Sequence, residues 1–443
     1  MEWLNDVLAL FQGYLYLPMN PFFYLAIVAL WIQYKRQMQI ERDMFGLRIH
    51  SVADQMLRTI LFGCMAGMIG TVFISVFSIA VSSTDLLLIW IVSVLLSLFH
   101  IRYLCFAYAG GLIGFLSICL KFIHPPAYLP AVGMDIWNAL RDVSAADLLA
   151  LVALLHILEA LLVWLQGSEG ALPVFVEGRR GKIVGGFVLQ KFWLVPMVSF
   201  VGVMGQTHGL AGDAGAYHPF GIQLLSFPHV FTAYHIAPFP VMLGYSTWTL
   251  TKNTKQKVKQ SAGLVAVYGI CLLALVELGL KYPILLLLAS ICSIVVHEWI
   301  ILFDNKQERM GAPIYIKPLK GLKLLAVLSG TPAEIMGLQA GDTIVRVNGI
   351  PVNTPYDFHF AISQNPAYVK LDVLDERGEL RLAGKPLYAG DHHQLGVILV
   401  PDETALQYVV LYPANVWSVM KRLFHTKRAD KRGQFDPSVS SQM

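Results

Sequence analysis

Residues 1–303 of this 443-residue chain are a near-continuous series of apolar runs, most of them free of Asp, Glu, Lys and Arg. Water does not tolerate so much exposed apolar surface, so these runs need a lipid solvent. The whole chain is 56% hydrophobic and only 14% charged, against roughly 25% charged in soluble proteins. A soluble globule is excluded as the fold of the whole chain. After the last run there remains room for one soluble unit of roughly 90–100 residues, enough for a small core.

The runs read as helical spans over 21–34, 57–80, 86–99, 103–120, 148–165, 183–205, 261–280 and 282–303. The stretch 220–250 is apolar enough to cross, although Pro228, Pro238 and Pro240 interrupt a regular helix. Basic residues then orient the chain. Lys35, Arg36, Arg42, Arg48 and Arg58 follow the first run. His100 and Arg102, then Arg179, Arg180, Lys182 and Lys191, then Lys252, Lys255, Lys257 and Lys259 form later groups. Lys306, Arg309, Lys317, Lys320 and Lys323 follow the last run. All are cytoplasmic together if 220–250 crosses. The expectation is therefore a polytopic all-α membrane domain of about 7–9 transmembrane helices, with the C-terminal unit in the cytoplasm. The first 16 residues carry Glu2 and Asp6 without a basic start, unlike an export signal.

Chemistry is sparse in the apolar part. Zinc catalysis on a helix would use H-E-x-x-H, but His297-Glu298-Trp299-Ile300-Ile301 lacks the second histidine. The pair reads instead as an interfacial anchor. No G-x-S-x-G is present, and Asp85, Asp147 and Asp213 sit at run ends or in loops. His156 and Glu159 stand three apart on one helix face, a membrane polar pair that reads as a structural latch, a binding group or a transport group. His208, His218, His229 and His235 have no compact metal spacing. The five cysteines form no C-x-x-C and read as small buried hydrophobes. Gly63, Gly67 and Gly70, and Gly110, Gly111 and Gly114, place small residues on helix faces and predict close helix packing. No catalytic residue, metal, cofactor or small-molecule substrate is expected, and no nucleic-acid partner.

From residue 312 the pattern changes. Short strands are expected at 314–316, 322–328, 343–347, 369–374, 379–382 and 395–400, with a helix at 356–363 behind a Thr354 cap and Pro355. Gly330-Thr331-Pro332-Ala333, Gly337-Leu338, Ala340-Gly341-Asp342 and Val347-Asn348-Gly349 follow one another in order. This ordered set resembles a bacterial-type PDZ domain. Gly330, Pro332, Ala333, Gly337, Gly341, Asp342, Asn348 and Gly349 would be its scaffold. The resemblance implies a small α+β, partly open β-barrel, and the late position of the strand at Leu395 suggests circular permutation. Peptide binding would use an exposed sheet edge, Leu395, Gly396, Val397 and Ile398, beside a helix wall of Phe358, His359 and Ile362. His392-His393-Gln394 departs from the usual apolar-glycine loop, so either a C-terminal carboxylate or an internal segment remains open as ligand.

The predicted organisation is a membrane domain over 1–303, a linker over 304–311, the PDZ domain over 312–405, and an amphipathic, basic tail over 406–443. Residues 414–424 read as an amphipathic helix facing anionic lipid. Further motifs widen the resemblance: Asn20-Pro21, Glu41-Arg42-Asp43, Arg102 to Gly111, and Leu243-Gly244-Tyr245-Ser246. With them the chain resembles the MinJ-like cell-division topological determinants of Bacillus-type bacteria. That family implies a non-enzymatic adaptor at the septum and poles. Its partners would be a DivIVA-like protein and MinD, with MinC recruited behind MinD. Two other readings stay open: a regulatory or relic subunit of an intramembrane protease system, and a transporter using Glu159.

Overall fold

The computed structural model describes residues 12–47, 49–77, 79, 81–126, 128, 130–178, 181–203, 233–388, 395–402, 408–409 and 434–435. Its helices are α1 (Gln12–Met19), α2 (Pro21–Phe45), α3 (Val52–Val76), α4 (Ser83–Ser97), α5 (Phe106–Leu120), α6 (Ala131–Asp142), α7 (Ala145–Gln166), α8 (Thr254–Lys281) and α9 (Pro283–Met310) in the membrane part. The C-terminal unit adds α10 (Pro332–Ile335) and α11 (Pro355–Ser363). The strands are β1 (Leu172–Glu177), β2 (Ile183–Val203), β3 (Ala233–Thr249), β4 (Leu322–Val327), β5 (Thr343–Val347), β6 (Ile350–Pro351), β7 (Tyr368–Leu374), β8 (Leu380–Pro386), β9 (Val397–Leu399), β10 (Tyr408–Val409) and β11 (Gln434–Phe435).

The expectation of 7–9 transmembrane helices is overturned. Among the described residues, four helices are long and apolar enough to cross a membrane: α3, α7, α8 and α9. A fifth span exists if α1 and α2, bent by 68° at Asn20, are one crossing. Helices α4 and α5 have 15 residues each. At about 1.5 Å per residue that is roughly 22 Å, short of a hydrocarbon core of about 30 Å.

The other two predicted crossings are not helices. The run 183–205 and the proline-rich 220–250 supply β2 and β3, which pair antiparallel from Phe187↔Thr249 to Val203↔Ala233. The membrane part is therefore not all-α. Hydropathy over about 20 residues reports which solvent a segment tolerates, not its backbone, and a buried strand and a buried helix look alike by that measure. The strand choice has local causes. Val184, Val188, Phe192, Trp193, Val195 and Val198 favour a pleated surface. Pro196 lies opposite Pro240, and Val198 opposite Pro238. Each proline would have broken a helical hydrogen bond, at about 3 kcal/mol.

Open strand edges do not face lipid, because their polar groups would be unsatisfied there. Here β1 covers one stretch of the β2 edge, through Leu172↔Val188 to Glu177↔Ile183. Farther along, α3 takes over. A Cβ added at Gly63 would stand 2.0 Å from the Leu194 carbonyl oxygen, and one at Gly67 2.0 Å from that of Pro196. Thr71 Oγ1 accepts a 3.0 Å hydrogen bond from the Val198 amide. The glycine face of α3 thus seats a strand rather than another helix. Trp193, Val195 and Met197 are fully buried behind it, and Trp193 donates to Gln166 Oε1 of α7 at 2.7 Å.

Helices α7, α8 and α9 pack together with α5. The second small-residue face behaves as expected, with Gly110 against Val152 and Gly111 against Ser290 and Ile294. The α9 helix runs on to Met310, so residues 304–310 continue a helix rather than forming a linker. Lys257 of α8, which is 0% exposed, explains this: its ammonium donates to Asp304 at 2.8 Å and Glu308 at 2.9 Å. Glu308 also accepts from the amides of Leu250 and Thr251, which stitches the end of β3 to α9.

These contacts gather one end of the bundle. Gln37 donates to Gly170 O, and Lys191 to Gln55 Oε1. Arg42, Arg58, Lys191, Lys252, Lys257 and Arg309 lie on segments meeting at this end. Basic residues concentrate on the cytoplasmic side. The protein is a multi-pass membrane protein, and its C-terminal unit hangs from that cytoplasmic end.

The C-terminal unit is a sheet in the order β8-β7-β5-β4-β9, with β6 beside β5. Its own core holds Leu324, Ala333, Ile344, Val347, Val352, Phe358, Ala361, Val369, Leu371 and Val373. Of the predicted 314–316 strand, only an isolated bridge forms, Tyr315 to Gly185 of β2. With Phe187 edge-on against Tyr315 and Leu325 and Ile398 in the bundle's core, this bridge fixes the unit to the membrane part. Within the segment 406–443, β10 and β11 extend the bundle's sheet beside β1. The helix expected at 414–424 lies outside the described residues, as do His208, His218, His229, His392 and His393.

Candidate functional site

The helix α11 is set by a complete capping box. Thr354 Oγ1 accepts from the Asp357 amide, and Asp357 accepts from the amides of Asn353 and Thr354. Those bonds, the one from Asn353 first, hold the Asp357 carboxyl below its ordinary range. The scaffold residues sit at the turns expected. Gly330, Gly337, Gly341, Asn348 and Gly349 all take the left-handed backbone region. Asn348 does so at φ 51° because its side chain is used twice: it donates to Ala361 O and accepts from the Lys370 amide. Asp342 accepts from the Gln339 amide and pairs with Arg381 at 2.9 Å. Pro332 opens α10, and the Ala333 amide donates to Leu395 O.

Strand β9 pairs with β4 and is the end strand of its sheet. Across from it stands the start of α11. Between them lies a cavity of about 390 Å³, walled by Val397, Ile398 and Leu399 on one side and Phe358 and His359 on the other. Of the seven residues expected to bind peptide, the structure brings Val397, Ile398, Phe358 and His359 into this cavity. Leu395 is 1% exposed and belongs to the unit's core, Ile362 packs on that core, and Gly396 turns under Thr331 at φ 81°. The floor was not foreseen: Met44 and Phe45 at the end of α2, Leu47 just beyond it, and Phe175 of β1 complete the cavity. No local motif announces that contact, which depends on how two separately folded parts meet. Lys317 and Lys323 give the rim positive charge, and burial lowers the Lys323 ammonium from its usual range.

A second cluster lies within the bundle. His156 of α7 does not hydrogen-bond Glu159 as the i,i+3 spacing suggested. Its Nδ1 faces Val152 O at 2.7 Å, and its Nε2 lies 3.3 Å from Cys105 Sγ at the N-cap of α5. His297 Nε2 of α9 approaches the same sulfur at 3.6 Å. These three donor atoms lie within 4.8 Å of one another and are suited to a metal ion. Glu298 turns away, held by Tyr108 at 2.6 Å and Arg102 at 2.8 Å. His297 and Cys105, both half-buried, thus face each other beside the buried His156. Glu159 makes no hydrogen bond or ion pair among the described residues, but lies within electrostatic reach of Cys105, Tyr245 and Tyr268.

Residues 324–374 match the PDZ domain family. This segment is a PDZ domain. Over a much longer stretch the chain is similar to the cell division topological determinant MinJ of Bacillus subtilis (strain 168). The two are 26% identical over 388 residues, covering 86% of this chain and 92% of that protein. The probable cell division topological determinant MinJ of Lacticaseibacillus paracasei is 29% identical over 289 residues, 63% of this chain and 72% of its own length. The putative serine protease HhoA of Synechocystis is 35% identical over 83 residues, only 18% of this chain. That likeness has the extent of a single small domain. The likeness to the Bacillus subtilis MinJ protein is long enough to take in both the bundle and part of the C-terminal unit, and homology with it runs through most of the chain.

Proposed function

We propose that this protein is a MinJ-type, non-enzymatic membrane scaffold of the division-site selection system, and that its PDZ groove captures a segment of a soluble division protein. The observation carrying this reading is the cavity between the end strand β9 and α11. An extended segment laid there adds as a further strand, with backbone hydrogen bonds supplying affinity and the apolar walls supplying selectivity. The likeness over most of the chain to proteins named as division determinants supports the system. In this reading residues 312–405 are the docking unit, with Val397, Ile398 and Leu399 as its edge and Phe358 and His359 as its wall. A DivIVA-like protein at septum and poles and a MinD-like ATPase are the partners it links. Tethering to the membrane confines the encounter to two dimensions and raises effective concentration, so weak individual contacts suffice.

The test is a fluorescent fusion followed in dividing cells, with and without residues 312–405. Septal enrichment in the full chain, lost on deletion, is the expected outcome. A uniform membrane signal with normal division in both strains refutes the scaffold reading. In vitro, His359→Glu on the exposed rim should weaken capture of a purified DivIVA-like or MinD-like protein by the intact chain by at least about fivefold. Unchanged capture places the contact outside the groove.

A further inference from the structure

We propose that Cys105, His156 and His297 form a zinc site that ties α5, α7 and α9 together inside the bundle. Three independent helical segments deliver one donor atom each to the same point. The two measured sulfur–nitrogen separations are 3.3 and 3.6 Å. A tetrahedral zinc ion with Zn–S of about 2.3 Å and Zn–N of about 2.0–2.1 Å places sulfur and nitrogen about 3.5 Å apart. All three donor atoms lie within 4.8 Å of one another, so small side-chain rotations close the site. Thiolate with two imidazoles is a donor set that suits zinc, while magnesium and calcium prefer oxygen.

The surroundings are built for a ligating imidazole. His156 Nδ1 donates to Val152 O at 2.7 Å, which leaves the Nε2 lone pair facing the sulfur. Outer hydrogen bonds of this kind fix the tautomer of metal-bound histidines. Among the described residues the buried His297 Nδ1 has no hydrogen-bond partner, while its Nε2 faces the sulfur. Tyr268 packs edge-on against His156 at 5.1 Å and against His297 at 5.7 Å, and Tyr108 against His297 at 5.1 Å, which fixes both ring planes. The Tyr268 hydroxyl is itself anchored to Ser293 O. Arg102 is paired with Glu298 at 2.8 Å, which weakens its repulsion of a cation at the cluster. Without a metal the single thiol proton serves only one of the two facing imidazoles. With zinc the proton leaves and all three lone pairs are used.

The experiment uses the full chain in detergent micelles, stripped with chelator and titrated with Co²⁺ as a spectroscopic probe. About one equivalent should bind, with a thiolate-to-cobalt charge-transfer band in the near ultraviolet that Zn²⁺ displaces. Cys105→Ser should abolish the band. His156→Asn and His297→Asn should each weaken binding by at least the roughly 10–100-fold seen on losing an outer-shell partner. A chain in which Cys64, Cys119, Cys271 and Cys292 are serine should keep the band. Glu298→Gln, outside the donor set, should also keep it. Absence of the band in the folded, unmutated chain overturns the proposal, whatever the variants do. So does a band that survives Cys105→Ser, which would place the metal on another cysteine.

Discussion

Gly67→Ala tests the least expected contact in the fold, the seating of β2 on α3. The added methyl would stand 2.0 Å from the Pro196 carbonyl oxygen. Since a close carbon–oxygen contact is about 3.3 Å, helix and strand must part by about 1.3 Å. The obstacle is backbone, held on its far side by the Pro196↔Pro240 pairing, so no side chain can swing clear. Overpacking of this kind costs about 1–3 kcal/mol. Alanine's better helix propensity offsets about 1 kcal/mol of it, leaving a net loss of up to about 2 kcal/mol. Gly263→Ala is the matched control. It makes the same chemical change on an exposed face of α8, where nothing lies within 4 Å. It should gain most of the propensity term. Thermal unfolding of both variants in the same detergent decides the matter. The argument requires opposite signs. If Gly67→Ala unfolds at or above the temperature of the unmutated chain, the strand does not run along that helix face.

Lys257→Met should be among the most damaging single changes, because it strips the cation from two carboxylates that converge on it. Breaking a buried pair costs about 3–5 kcal/mol. The lower end is expected, since Glu308 keeps the Leu250 and Thr251 amides. The double variant Lys257→Met with Glu308→Gln should recover part of the loss in a denaturation series, and strict additivity would show that the pair is not coupled. Asn348→Ala should cost the PDZ domain roughly 2 kcal/mol, from two lost hydrogen bonds and a left-handed backbone that alanine resists. Asn348→Gly should cost less because only the bonds are lost. Faster hydrogen exchange at the Lys370 amide in both variants, larger in the alanine one, is the readout.

The PDZ domain was legible because its information is local. A left-handed turn demands Gly or Asn where it falls, and α11 announces itself through Thr354 and Pro355. Ordered spacing of such signals was enough to place β4, β5, β7 and the late β9. The groove was half legible. Val397, Ile398, Phe358 and His359 followed from the domain pattern, whereas Met44, Phe45, Leu47 and Phe175 belong to another part of the chain and meet it only on docking. In the bundle, the described parts of the runs 183–205 and 220–250 were misread as helices because an apolar run states a preference for burial and is silent about the backbone.

By itself the sequence determined the solvent of each segment, the cytoplasmic side and the turn chemistry of the C-terminal domain, since each is set by composition or by neighbours within a few residues. Only the tertiary structure decided that Gly63 and Gly67 receive a strand, and that Cys105 meets histidines 51 and 192 positions away. Helical spacing shows which residues share a face. Which face of another segment it meets is fixed by packing, because each buried polar atom finds its partner only once the bundle has closed.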